Sequence, residues 1–424
     1  MREKYYLCID LKSFYASVEC VERGLDPMTT DLVVADPERS DKTICLAVSP
    51  SLKAKGVKNR CRVFEIPKTM EYIMAPPRMQ KYIDYAAEIY GIYLKYISKD
   101  DIHVYSVDEA FIDVTPYLSV YHRSAKEMAV MLMDKVASET GIRATAGVGT
   151  NLYLTKIALD ITAKHSPDFI GILDEFMFRE KLWEHRPLTD FWRIGKGTAR
   201  KLESMGIYTM KELAHMDEDI LYGKFGIDAE LLIDHAWGRE TTEIADIKKY
   251  QPKTTSLTGG QVLMRDYSFE EGRLVLREMT DQLCLDMTAK GVVTQSVTIY
   301  AGYSNKLGMA PARGTASISA PSNAACVIVP EVLAVYDRMM DHDKPVRRFN
   351  VSCNELVPDT GSAQLSFFDT MDDSLVERDK KIQETMLDIK CRYGKNAMFK
   401  GMDLQGAATT LERNRQIGGH KSGE

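Results

Sequence analysis

The early part of the chain switches between short apolar runs and longer amphipathic stretches. Tyr5 to Ile9 is an apolar run closed by Asp10, which predicts a strand. Ser13 then stands where it can cap a helix, with Ala16, Val18 and Val21 among Glu19, Glu22 and Arg23. Short β-rich runs, LVVAD and TICLAV, lie within 31–48, a basic stretch covers 51–62, and Pro76-Pro77 marks a break. Residues 79–98 place Tyr and Ile at the spacing of a long amphipathic helix. IHVYSVDEAFIDV reads as two short strands around an acidic centre, 123–140 as a helix, TAGVGT as a strand and 151–164 as another helix. This β–α–β–β–α–β order predicts a ferredoxin-like α+β core, interrupted by an insertion at about 20–77.

The pattern changes downstream. Residues 170–240 carry short helical repeats with glycine stops, and the polar DIKKYQPKT reads as a linker. Residues 250–355 return to mixed strands and helices, which predicts a second small α+β unit. From Cys353 the chain becomes tail-like, with one aromatic cluster in NELVPDTGSAQLSFFDT. A helix follows, with Leu375, Ile382, Met386, Ile389 and Tyr393 on one stripe, and the final GGHKSGE reads as disordered.

Composition narrows the classes. The 424 residues suffice for about three domains. Lys+Arg is 55 against 61 Asp+Glu, a net charge of −6, which excludes a uniformly basic nucleic-acid packer but not a local basic surface. The apolar run before Asp10 is too short for a secretion signal, and no stretch approaches the ~20 apolar residues of a membrane span. The eight cysteines form no C-x-x-C pair, so reduced thiols and a cytoplasmic location are expected.

Three carboxylates stand out. Asp10 ends the first strand, and Asp108 and Glu109 occupy the centre of VYSVDEAFIDV. A tight turn there would aim both toward one sheet edge, and an adjacent Asp10 would complete a cluster of hard oxygen donors. Like charges so close call for a cation, and Mg²⁺ suits such donors. Two such ions would support in-line phosphoryl transfer. The plainer reading, a solvated acidic turn, has comparable weight on spacing alone. Phe14 and Tyr15 follow Asp10 closely. A flat ring there could pack under a sugar and exclude a 2′-hydroxyl, or both rings could simply be helix core.

Positive charge gathers in SLKAKGVKNRCR, with Lys53, Lys55, Lys58, Arg60 and Arg62, and Lys156 follows the strand TAGVGT. Such lysines could hold a triphosphate. FWRIGKGTARKLESMGI fits a helix-hairpin-helix, whose backbone N–H groups hold a DNA phosphate without reading sequence. An ordinary helical hairpin is the alternative.

Taken together, IDLKSFYASVE, YSVDEAFIDV, AGVGTNLYLTKIALDITAK and RIGKGTARKL resemble, in order and spacing, the Y-family DNA polymerases that copy damaged templates, closest to the UmuC-like branch. The resemblance covers about 4–355 and part of the tail. It implies a right-hand polymerase with a palm at 1–20 and 78–168, small fingers at 21–77, and a helical thumb at 169–240. A little finger at 250–355 and a tail at 356–424 complete it. It implies Asp10, Asp108 and Glu109 as catalytic metal ligands for two Mg²⁺ ions, with Leu11 offering only its carbonyl. Tyr15 becomes the steric gate against ribonucleotides, Phe14 packs on the sugar, and Lys53 and Lys156 contact the triphosphate. Gly195, Lys196 and Gly197 form the DNA-binding hairpin. Two departures are visible: Pro50 replaces a tyrosine, and Arg193 stands where the hairpin's first glycine is expected.

The implied reaction is attack of a primer 3′-oxygen on the α-phosphate of a paired deoxynucleotide, at low fidelity. In the tail, Gln364, Leu365, Phe367 and Phe368 resemble the peptide by which bacterial polymerases dock on the sliding clamp. A nucleotidyl cyclase would share the carboxylates but needs no DNA-binding modules. A non-catalytic accessory protein would not need the carboxylates at all.

Overall fold

A computed structural model describes residues 4–252, 256–360 and 373–423. The chain forms two compact units, one from the N-terminus to Tyr250 together with 420–424, the other from Gln251 to Gly419. The strands of the first unit are β1 (Tyr6–Leu11), β2 (Leu32–Val34), β3 (Ala47–Val48), β4 (Ile73–Ala75), β5 (Ile102–Val104), β6 (Glu109–Asp113), β7 (Ala144–Gly149) and β8 (Ile170–Leu173). Its helices are α1 (Phe14–Val21), α2 (Pro50–Ala54), α3 (Met79–Leu94), α4 (Leu118–Tyr121), α5 (Ala125–Thr140) and α6 (Leu152–Ile157). They continue with α7 (Glu175–Leu182), α8 (Lys196–Glu203), α9 (Met210–Ala214), α10 (Glu218–Phe225), α11 (Asp228–Ala236) and α12 (Ile244–Lys249).

The central sheet has the order β5-β6-β1-β7-β8, with β1 antiparallel to both β6 and β7. Helices α3 and α5 cover one face and α6 the other. Helix α5 shows why these segments fold locally. Ser124 and Glu127 form a capping box, Met128, Ala129, Leu132 and Val136 are buried on one stripe, and Gly141 closes the helix at φ 71°. On the α6 face, Tyr6, Cys8 and Phe111 pack with Leu152, Leu159 and Ile244. Ile244 belongs to α12, so the start of the expected polar linker is a helix lying on the sheet.

Glycine sets how closely α6 approaches. A Cβ on Gly147 would fall 2.1 Å from the Thr155 carbonyl, and one on Gly149 2.5 Å from the Thr155 nitrogen. Past Ile157 the helix widens into a π-turn over Ala158–Thr162 rather than continuing as the regular helix expected to 164.

The insertion folds as a small sheet, β3-β2-β4, around Val33, Ala35, Cys45, Val48, Leu52 and Ile66. Pro50 opens α2 behind the Ser49 cap, a position where its missing N–H and fixed φ do no harm. Helices α7 to α11 pack around Phe178, Phe191, Leu202, Leu213 and Leu221. Residues 420–423 return to this unit, where Lys421 pairs with Asp36 and Glu38 and the Ser422 carbonyl accepts from the Gln80 N–H.

The second unit is an antiparallel sheet of β9 (Leu257–Tyr267), β10 (Val292–Tyr303), β11 (Ala312–Ser322) and β12 (Val346–Asn354), in the order β11-β10-β12-β9. Helices α13 (Phe269–Lys290) and α14 (Ala325–Met339) bury one of its faces. The expected separate tail departs here. Helix α15 (Asp373–Tyr393) docks on α13 and α14. Gln383 is 1% exposed. Its amide donates to Thr288 Oγ1 at 2.8 Å and the Asn323 carbonyl at 3.1 Å, and accepts from the Ala325 N–H at 2.9 Å. Asp379 accepts from the Cys326 N–H at 2.9 Å. Because Ala324 has no capping side chain, α15 supplies the cap of α14. Further on, buried Glu278 accepts from Thr409 and Thr410.

Candidate active site

Register brings the acidic residues together. Asp10 lies directly opposite Glu109 on paired strands, so both project from the α6 face. β6 begins only at Glu109, which frees Asp108 in the preceding turn from strand alternation. The Asp108 carbonyl accepts from the Leu11 N–H at 2.9 Å, and its carboxylate accepts from Ser106 Oγ at 2.6 Å. Burial, then the nearby Asp108 and Glu109, push the Asp10 carboxyl up to about 7, against the opposing pull of Lys156.

Glu109 is held from two sides. Cys8 Sγ donates to its Oε1 at 3.1 Å and Lys156 Nζ to its Oε2 at 2.9 Å. Lys156 also donates to Asp160 Oδ1 at 3.1 Å, across the turn where α6 widens. Burial alone would lower the Lys156 pKa, but Asp160 and Glu109 more than offset it and the net shift is upward. Lys156, expected on the triphosphate, rests here between Glu109 and Asp160. Among the described residues no three His, Cys, Asp or Glu side chains are drawn together tightly enough to hold one ion. The donor set nevertheless fits a hard divalent cation. Asp10 and Asp108 present carboxylates to one cavity, and hard oxygen donors of this kind suit Mg²⁺.

That cavity holds about 370 Å³ and is lined by Asp10, Leu11, Phe14, Tyr15, Lys53, Arg60 and Asp108, with Asn59 and Ser106 at its walls. Phe14 is buried, whereas the Tyr15 ring is partly open to the cavity. The basic run divides here: Lys53 and Arg60 face the cavity, while Lys55 is paired with Asp31. Lys164, exposed beyond the π-turn, acts electrostatically on Lys53. Lys164, Cys8, Asp160, Asn59 and Ser106 were not singled out from sequence. Cys8 follows from strand period, being two residues before Asp10. Nothing in the sequence marks Asp160 until the π-turn is known.

The expected hairpin lies between Phe191 and α8. Gly195 is the N-cap of α8, and a Cβ at Gly195 or Gly197 would meet nothing within 4 Å, so the backbone there is open to approach. Arg193 adopts φ 72°, the left-handed conformation that a glycine takes without strain, and its guanidinium lies 4.8 Å from the Trp192 ring centroid. In the second unit the sheet face away from α13 and α14 carries Tyr300, Arg313, Arg348 and Asn350 in adjacent register. Arg348 donates to Tyr300 Oη at 2.8 Å, and β10, β11 and β12 contain no Asp or Glu. The clamp-like peptide with Gln364, Leu365, Phe367 and Phe368 lies outside the described residues.

A ferredoxin-like core presenting strand-end carboxylates beside a nucleotide-sized cavity, followed by a helical hairpin and a second α+β unit, is the arrangement of a polymerase of the right-hand type. Comparison with known proteins gives the particular family. The impB/mucB/samB family profile matches residues 9–160, and its C-terminal domain profile matches 256–367. A Bacillus subtilis (strain 168) protein that carries the name UV-damage repair protein UvrX is 32% identical over 99% of this chain and 98% of its own length. DNA polymerase IV 2 of the same organism is 30% identical over 99% of both. The fold is similar to that of a Y-family polymerase chimera, Dbh-Dpo4(243-245)-Dbh, with a TM-score of 0.65, 19% identity, and coverage of 84% of this chain and 99% of that one. The chain belongs to the impB/mucB/samB family, the Y-family DNA polymerases of UmuC/DinB type. It is a DNA-directed DNA polymerase of translesion synthesis. The family uses divalent metal ions. No helix among the described residues is long and apolar enough to cross a membrane.

Proposed function

We propose that Asp10, Asp108 and Glu109, with the Leu11 carbonyl, hold two Mg²⁺ ions at the mouth of the 370 Å³ cavity. When bound, these ions neutralise charge on the phosphate oxygens during in-line transfer. The chain's own residues supply the rest. Lys53, Arg60 and Lys164 meet the triphosphate as point charges and, for Arg60, a bidentate fork. Lys156 neutralises Glu109 from behind. Phe14 packs on the sugar, and Tyr15 closes the space a 2′-hydroxyl would need. The open backbone at Gly195, Lys196 and Gly197 holds a DNA phosphate, as does the arginine face of the second sheet. The small three-stranded insertion leaves the templating base loosely enclosed, which favours damaged templates over discrimination. Docking of Gln364–Phe368 on the bacterial sliding clamp would raise the local concentration at the primer end, and a cytoplasmic location accords with this role.

The observation that carries this reading is the register of Asp10 against Glu109 beside a cavity lined by Tyr15, Lys53 and Arg60. Primer extension past an abasic site with Mg²⁺, with and without a clamp, tests it. Extension should be lost in Asp108→Asn and Glu109→Gln. Activity surviving in both refutes the site assignment, and a clamp that changes nothing refutes the docking peptide.

A further inference from the structure

Tyr15 does not stand alone at the cavity wall. On α1, Tyr15 and Glu19, with Glu22 at its C-cap, follow at helical spacing and share one face. On α3, Arg78 at its N-cap, Tyr82 and Tyr85 do the same. The two faces meet rung by rung. Tyr15 stacks on Tyr82 with centroids 4.5 Å apart and planes 14° apart. Glu19, with a fully buried side chain, accepts from Tyr82 Oη at 2.8 Å and from Arg78 Nε and Nη2 at 2.9 Å each. Glu22 accepts from Tyr85 Oη at 2.9 Å, with Arg78 and Lys81 beside it.

Tyr82 is 0% exposed, and its hydroxyl is bound to a carboxylate that two arginines also hold. The ring can therefore neither rotate nor retreat. One side of Tyr15 faces the nucleotide cavity and the other rests on this fixed plane. A gate that excludes a single hydroxyl works only if the ring cannot yield by a fraction of an ångström. Such backing is what α1 alone, eight residues long, does not supply.

We propose that Tyr82, anchored by Glu19 and Arg78, is the positioning residue of the sugar gate and sets how strictly the enzyme excludes ribonucleotides. This rests on the reading of Tyr15 as the gate and extends it to a residue that touches no substrate. A stacked ring pair carries enough energy to change a selectivity ratio by about three- to tenfold.

The test is the ratio of kcat/KM for a deoxynucleotide to that for the matching ribonucleotide, in the full chain. Tyr82→Leu should lower the ratio at least about threefold, chiefly through faster ribonucleotide insertion. Tyr82→Phe, which keeps the plane but loses the Glu19 anchor, should lower the ratio less than Tyr82→Leu does. In a Tyr15→Ala background Tyr82→Leu should add nothing, since no gate remains to position. Should Tyr82→Leu not fold, as judged by thermal melting, Tyr82→Met keeps the volume, removes the plane and carries the same expectation. A ratio unchanged in Tyr82→Leu or Tyr82→Met while Tyr15→Ala lowers it overturns the inference. A ratio unchanged in Tyr15→Ala itself overturns the gate reading instead.

Discussion

Replacing Asp10 by Asn should stabilise the metal-free protein, and the gain should depend on pH. No side-chain hydrogen bond of Asp10 is lost by the change, while its carboxyl is pushed from the ordinary range near 4 up to about 7 by burial, Asp108 and Glu109. A raised acid is neutral in the folded state while the unfolded chain already ionises, so stability falls as pH rises from about 4 to about 7 and then levels off. At about 1.4 kcal/mol per pH unit, the upper bound on the cost at pH 8 is about 4 kcal/mol. Asn carries no such cost. In EDTA, its advantage in unfolding free energy should grow by about 2 kcal/mol between pH 5 and pH 7 and level off above about pH 8. With about 2–4 °C per kcal/mol for a unit of this size, the difference in melting temperature is easily measured. Added Mg²⁺ at pH 8 should raise the parent's melting temperature and leave Asp10→Asn nearly unmoved. An advantage independent of pH would refute the reasoning, because it would place the cost in packing rather than charge.

Other expectations follow from specific contacts. Gly147→Ala would drive a Cβ to 2.1 Å from the Thr155 carbonyl, so α6 must lift; a loss of about 2–3 kcal/mol and of primer extension is expected by melting and extension assays. Lys156→Met leaves Glu109 buried without its cation and should cost about 3–5 kcal/mol in chemical denaturation, while Lys156→Arg should cost far less. Gln383→Ala leaves the Ala325 N–H, the Asn323 carbonyl and Thr288 without their partner, and should lower the stability of the second unit by about 2–3 kcal/mol with little effect on the first, as read by hydrogen exchange.

The carboxylates were visible from sequence because strand ends and turns are local. Asp10 closes an apolar run, and Asp108-Glu109 interrupts another. Their partners were not, because those depend on which helix covers which face. The pairing of Lys156 with Glu109 depends on the close approach that Gly147 and Gly149 permit, which no local pattern announces. Lys164 is separated from Lys156 by a π-turn, and a regular 3.6-residue period puts it at the wrong angle. The tail was misread for a related reason. Of the apolar stripe of α15, Met386 is buried while Leu375, Ile382 and Tyr393 stay exposed, and the docking is completed by Gln383 and Asp379, polar residues that sequence patterning assigns to solvent. Helix α12 was hidden in the same way, behind Glu243, Asp246, Lys248 and Lys249, which flank Ile244 and Ile247.

The borrowed cap of α14 also orders events during synthesis. The first turn of that helix emerges from the ribosome well before Asp379 and Gln383, which are more than fifty residues further on. At about 5–20 residues per second, the second unit spends several seconds with the α14 N–H groups open and the outer side of α13 bare. A chain stopped in the segment after β12 would lack more than its C-terminal residues. It would carry a second unit arrested before α15 arrives, with apolar surface offered to chaperones and to neighbouring chains.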